Sequence, residues 1–216
     1  MKTLNLAVVT AGLSDPSSTR LLADRLADAT RQGLDTFGHA LDVSIIELRD
    51  LASDIAHNMT IGFPGPTLKD ALDTVSRAEG LIAVTPILSA SYSGLFKSFF
   101  DVLDRTALRD KPVLIAATGG TARHSLALEH ALRPLFAFLQ SQVVPTAVFA
   151  ATDDWAAAGD AYTDGLPSRI DRAAGELARL MANRGPLVKT EQELVPFAEQ
   201  LAALGHSGQT QEHAAS

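Results

Sequence analysis

The chain has 216 residues, with 18 Lys and Arg against 25 Asp and Glu, and its formal net charge of -7 is not broken by any cation-rich segment. This balance argues against nucleic acid or an anionic membrane surface as the partner. Cysteine is absent, which removes disulfides, thiolate metal sites and thiol redox chemistry together, so any redox chemistry must come from a bound cofactor.

The length suits a single α/β domain with a sizeable core. Met1-Lys2-Thr3 leads into an apolar run that has no small-residue cleavage site and is too short to span a bilayer. A cytoplasmic protein with no membrane partner is expected. Strand-like and helix-like segments alternate along the chain, the pattern of a parallel sheet with crossover helices on both faces.

The first strand is expected at Leu4 to Thr10, followed by a polar loop and a helix over Thr19 to Phe37 with Leu21, Leu22, Leu26 and Leu34 near one face. Asp42 to Leu48 has polar ends and reads as a strand near an edge. Gly62-Phe63-Pro64-Gly65-Pro66 is a non-repetitive connection expected to border the crevice, and Leu68 to Ala78 follows as a helix. Gly80 to Thr85 is short, apolar and bounded by Gly and Pro, as a central parallel strand should be. Asp101, Asp104 and Arg105 read as helix-surface charges.

Pro112 to Thr118 is the fourth strand, and Ser125 to Leu139 is a helix that Pro134 should kink or locally loosen. The fifth strand is placed at Val143 to Ala150, before a connection from Thr152 to Pro167 that holds Trp155 and Tyr162 and should also border the crevice. A helix is expected over Ser168 to Met181 and another over Glu191 to Leu204. Residues 205–216 lack an apolar stripe and read as a disordered tail to a domain spanning 1–204.

Three connections rich in Gly, Ser and Thr leave the strands and meet at one end of a parallel sheet, where ligands bind in open α/β folds. Thr10-Ala11-Gly12-Leu13-Ser14-Asp15-Pro16-Ser17-Ser18-Thr19-Arg20 ends at a helix start, whose N–H groups suit either a phosphate or a plain N-cap. It is neither a Walker loop nor a three-glycine dinucleotide loop. Thr85-Pro86-Ile87-Leu88-Ser89-Ala90-Ser91-Tyr92-Ser93-Gly94-Leu95-Phe96-Lys97 is small and hydroxyl-rich, fit for a flat aromatic ligand. Thr118-Gly119-Gly120-Thr121-Ala122-Arg123-His124-Ser125 has two glycines that permit close backbone approach or simply turn the chain.

Together these stretches resemble the NAD(P)H-dependent FMN reductase family, nearest to the flavin reductases that accompany alkanesulfonate monooxygenases. Thr85 to Lys97 is similar to their Thr-Pro-Val-Tyr-x-x-x-Tyr-x-Gly-x-x-Lys, and Ala117 to His124 and Ala131-Leu132-Arg133-Pro134 look like that subgroup as well. The likeness runs from about Leu4 to Asp154. It implies a flavodoxin-like fold with a five-stranded parallel sheet and helices on both faces. It also implies hydride transfer from NADPH or NADH to the N5 atom of FMN, a flavin-dependent monooxygenase as recipient, and a homodimer or homotetramer.

Residue by residue, the resemblance implies that Ser17, Ser18 and Thr19 hold the FMN phosphate beside Thr10 and Gly12. Pro86, Ile87, Leu88 and Ser89 would border the isoalloxazine together with Ser91, and Thr118, Gly119, Gly120 and Thr121 would face its pyrimidine side. Leu88 stands where the family often has an aromatic residue, and Leu13, Ser14 and Asp15 stand where it often has Ser and Arg. His130 matches a Tyr of the subgroup on a helix with an inserted, π-bulge-like residue; it reads either as a group tuning subunit packing or as a surface histidine. Arg123 could meet an NADPH phosphate, although a solvated surface role is commoner, and Asp153-Asp154 has no need to converge on a substrate. A reductase that retains FMN for quinones, azo dyes or metal oxyanions, and a non-enzymatic flavodoxin-type carrier, stand as the rival readings.

Overall fold

The structure is a computed structural model that describes residues 2–155 and 165–184. In chain order its first half comprises β1 (Thr3–Thr10), α1 (Ser18–Asp35), β2 (Ala40–Glu47), α2 (Ala52–Ile61), α3 (Pro66–Arg77) and β3 (Gly80–Leu88). Then come β4 (Ser91–Tyr92), α4 (Gly94–Val102), β5 (Pro112–Gly119), α5 (Arg133–Phe138), β6 (Gln142–Val143), β7 (Val148–Ala151) and α6 (Leu166–Asn183). The helix expected over Glu191 to Leu204, the tail from Gly205, and Tyr162 lie outside the described residues.

Side chains alternate across a strand, so β1 sends Leu4, Leu6 and Val8 to one face of the sheet and Ala7 and Val9 to the other. The first set packs beneath α1 and α6 with Leu22, Leu26, Leu177 and Met181. The second packs beneath the remaining helices, where Phe96, Phe100 and Phe136 interlock with ring centroids 4.8 Å (Phe96–Phe100) and 5.0 Å (Phe100–Phe136) apart. Both faces are covered, which is why the central strands read as continuous apolar runs.

The strand order is β2-β1-β3-β5, continued on the far side of β5 by β6 and β7. This is the doubly wound order of a flavodoxin-like fold, and the winding reverses between β1 and β3. β2 lies at the edge, as its polar ends suggest. The expected five strands are seven among the described residues. The fifth is split, because β6 pairs with Pro112 and Val113 while β7 pairs with Ala116 to Gly119. Between them Pro145 has no N–H to donate, and the ladder lapses. The seventh is β4, which folds back antiparallel on the end of β3 and pairs Ile87 with Tyr92 and Leu88 with Ser91.

α2 escapes a reading by periodicity because it buries only Ile55 and Asn58. α4 begins at the Ser93 cap, whose hydroxyl accepts the Phe96 N–H at 3.2 Å. Asp101 lies on it, whereas Asp104 and Arg105 lie past its end. Asp104 accepts the Thr106 hydroxyl and N–H, bonds that hold its carboxyl below the usual carboxylate range.

The helix expected from Ser125 begins instead as a π-helical turn over Leu128–Leu132 that passes directly into α5. An α-helical Pro134 would press on the carbonyl four residues back, and the π turn, closed by Arg133 N–H to Leu128 O, widens the helix there. At the opposite pole from the carboxyl ends of the strands, buried Lys111 donates through Nζ to the Val75 and Ser76 carbonyls at the end of α3. No described helix is long and apolar enough to cross a membrane.

Candidate functional site

The first loop turns from β1 into α1 with its polar groups only partly satisfied. Ser17 is the N-cap, and its Oγ accepts the Arg20 N–H at 3.2 Å. A Cβ on Gly12 would stand 2.0 Å from that Oγ, so the loop closes in this form only over glycine. The N–H groups of Ser18 and Thr19 precede the first helical bond, Leu21 N–H to Ser17 O, and face outward from the helix start. The Thr10 hydroxyl at the end of β1 is buried and has no hydrogen-bond partner. Such a group is costly unless a ligand meets it.

The cations near this loop are already matched. Arg20 is bound to Asp24 and Glu47, and the Asp24 hydrogen bond, aided by both charges, raises its pKa further above the ordinary value. Arg49 donates to the Ser14 carbonyl at 3.3 Å and lies near Glu47 and Asp50. Any anion held here is held chiefly by oriented N–H and O–H dipoles.

The second connection is a hairpin rather than an open loop. β3 continues through Pro86 to Leu88, and Ser89 (φ 50°) and Ala90 (φ 66°) turn the chain in the left-handed region. Thr85 fixes the base of this hairpin, because its Oγ1 accepts the Ser93 N–H at 3.1 Å and donates to the Pro86 carbonyl at 3.0 Å. The third connection follows β5. Gly119 is required from behind, since a Cβ there would stand 2.8 Å from Phe149 Cζ, whereas Gly120 opens onto empty space. Thr118 Oγ1 lies 2.8 Å from Thr19 Oγ1, and this buried pair ties the start of α1 to the end of β5.

These elements enclose a cleft of about 440 Å³, within the ~300–1,000 Å³ typical of small-molecule sites. Of the residues expected at the site, Ser18, Thr19, Pro86, Ile87 and Leu88 line it, together with Thr118, Gly119 and Gly120. Thr10, Gly12 and Ser17 of the first loop do not line the cleft, and neither do Ser89, Ser91 and Thr121. The Gly62 to Pro66 connection does not line it either, while the connection after β7 does, through Thr152 and Trp155.

Leu13, Ser14, Ala150, Thr152 and Trp155 complete the wall. The first two lay within a loop already marked as functional. Thr152 and Trp155 belong to the connection expected to border the crevice, and Ala150 was discoverable from topology, since the end of β7 must share the pole of the other carboxyl ends. Asp154 is committed to structure, accepting the Ala151 N–H at 2.8 Å and Arg169 at 2.6 Å, so Asp153-Asp154 is no paired acid and base. Arg123, His124 and His130 are exposed and outside the lining; His130 lies on the π turn.

The fit to a flavin nucleotide can be judged from the walls. A phosphate finds the N–H groups of the α1 start, at Ser18 and Thr19, on the cleft wall. A flat ring finds apolar side chains on one side and bare glycine backbone on the other. Among the described residues of the cleft wall there is no clustered nucleophile or base, and FMN needs none.

Known proteins agree. The profile of the NADPH-dependent FMN reductase family matches residues 4–156. An FMN reductase (NADPH) from Pseudomonas aeruginosa is 37% identical over 187 residues, covering 85% of this chain and 96% of its own. The NADH-dependent FMN reductase SfnF of Pseudomonas fluorescens is 35% identical over 188 residues, covering 86% of this chain and 97% of its own. Among solved structures, an oxidoreductase from Corynebacterium diphtheriae superposes with a TM-score of 0.81 at 46% identity, covering 86% of this chain and 100% of its own. A chain matched by the family profile over most of its length, with such relatives aligned nearly end to end, belongs to the NADPH-dependent FMN reductase family.

Proposed function

We propose that this protein, an NAD(P)H:FMN oxidoreductase by family, takes FMN as a diffusible substrate and delivers its reduced form to a flavin-dependent monooxygenase. The observation that supports this most is the convergence of three connections on one cleft, built almost entirely from backbone N–H groups, hydroxyls and small apolar side chains. When bound, FMN supplies the ring that accepts hydride at N5 from the nicotinamide C4 of NADH or NADPH.

Each wall then has a task. Ser18 and Thr19 offer N–H groups to the phosphate, Ser17 holds the helix start, and Thr10 supplies a hydroxyl that has no other partner. Pro86, Ile87 and Leu88 form the shelf beneath the isoalloxazine, and Thr118, Gly119 and Gly120 bring polar backbone to its pyrimidine edge. Ser89, Ser91 and Thr121 shape the turns that hold these walls. Fixed donors beside ring atoms that gain negative charge favour the reduced flavin without any side-chain proton transfer.

We place the enzyme in the cytoplasm as a homodimer or homotetramer, consistent with the exposed Phe63, Leu126 and Phe138. Light scattering on the purified protein tests the assembly. The catalytic reading is tested by adding FMN and following the absorbance of NADH and of NADPH. Oxidation that depends on added flavin is expected, and no flavin-dependent oxidation with either nucleotide overturns the reading. FMN that stays with the protein through gel filtration would mark it as a prosthetic group rather than a substrate.

A further inference from the structure

The wall of the cleft beyond β7 has no task in the assignments above. β7 ends at Ala151, and Asp153 to Trp155 form one tight turn directly after it. Asp154 pins this turn by accepting the Ala151 N–H at 2.8 Å and the Arg169 guanidinium at 2.6 Å. Arg169 also donates to the Phe149 carbonyl at 2.6 Å, so the turn is fixed to β7 and to α6 at once.

Trp155 projects from this fixed point half-buried, and the Arg25 guanidinium of α1 lies over its ring, 5.1 Å from the centroid. That distance is within cation–π range. Among the described residues Arg25 makes no ion pair, so the indole is its partner. The same indole lines the cleft that Ser18, Thr19 and Gly119 also line.

An aromatic ring already immobilised by its own protein loses little freedom when a planar ligand packs against it. Its remaining apolar surface gains from being covered. The neighbouring N–H groups of Ser18 and Thr19 are those assigned to the FMN phosphate, so the occupant that reaches both them and Trp155 is the flavin nucleotide rather than a nicotinamide arriving from the open side.

We infer that Trp155 is a binding residue of the flavin site, packing against bound FMN and setting its affinity. The inference rests on the FMN reading, and its test separates the two. FMN is titrated into wild-type protein and into Trp155→Phe, Trp155→Leu and Trp155→Ala, with binding read from flavin emission and apo stability from thermal unfolding. The Phe and Leu variants both keep the site filled, so the comparison is between two folded proteins that differ in the ring.

The Phe variant is expected to bind within about threefold of wild type, and the Leu and Ala variants about tenfold more weakly, the lower end of what aromatic stacking on a base is worth. Leu binding as tightly as Phe, or all three variants matching wild type, overturns the inference and leaves the FMN reading standing. Wild-type protein that leaves flavin emission unchanged overturns both.

Discussion

Thr10 is the residue at which stability and binding pull apart. Its buried hydroxyl has no partner within the protein, and an unmade hydrogen bond of this kind costs about 1–3 kcal/mol. Thr10→Val keeps the shape and removes the unsatisfied group, so the apo protein should melt higher while FMN binds more weakly. Calorimetry and a flavin titration on the same sample check the pair of effects; unchanged FMN affinity would remove Thr10 from the site. Thr19→Val should act in the opposite sense on stability. It strands the Thr118 hydroxyl in a buried position, and the apo protein should lose about 1–3 kcal/mol in denaturant unfolding.

At the scale of elements, the β3–β4 hairpin holds two non-glycine residues in the left-handed region, and Ala90 at φ 66° has no side chain to bond locally in return. Ala90→Gly should stabilise the fold by about 1 kcal/mol, the left-handed cost less the freedom glycine adds to the unfolded chain. The melting temperature should rise by about 2–4 °C.

Lys111 predicts a pH dependence. Burial, with Arg184 adding to it and Glu79 opposing, pushes its ammonium from 10.5 down to about 7. The unfolded chain therefore holds this proton across a window in which the folded one has released it, and stability rises with pH between about 7 and 10.5. Thermal melts across that window should climb in the wild type and climb less in Lys111→Met. Equal slopes would show that Lys111 keeps its charge on the α3 carbonyls throughout.

Elements were legible in proportion to how fully one face is buried. The central strands announced themselves as apolar runs. α2 did not, because two buried residues make no stripe. β4 and the break at Pro145 were hidden because two-residue strands have no period to read. The three loops were legible from their chemistry at strand ends, whereas Ser18, Thr19, Pro86 to Leu88 and Thr118 to Gly120, which line the cleft, were singled out by the family resemblance. Trp155 was seen as bordering the crevice, yet its placement depends on Asp154, Arg169 and Arg25, which meet only in three dimensions.

For the whole molecule, the pairing of Arg20 with Asp24 and Glu47 has a consequence for how the flavin travels. A doubly charged phosphate enters a protein of net charge -7 in which Arg20 and Arg49, the described arginines nearest the first loop, are already matched by carboxylates. Short-range dipoles are screened far less by salt than long-range charge attraction is. FMN affinity should therefore change less than about threefold between low salt and 0.3 M, where a site built on free arginines would lose far more. A titration at the two ionic strengths decides it. Such a berth recognises the phosphate by direction instead of by charge, and the departing nucleotide leaves no strong Coulomb well behind it, a property suited to cargo handed over once per turnover.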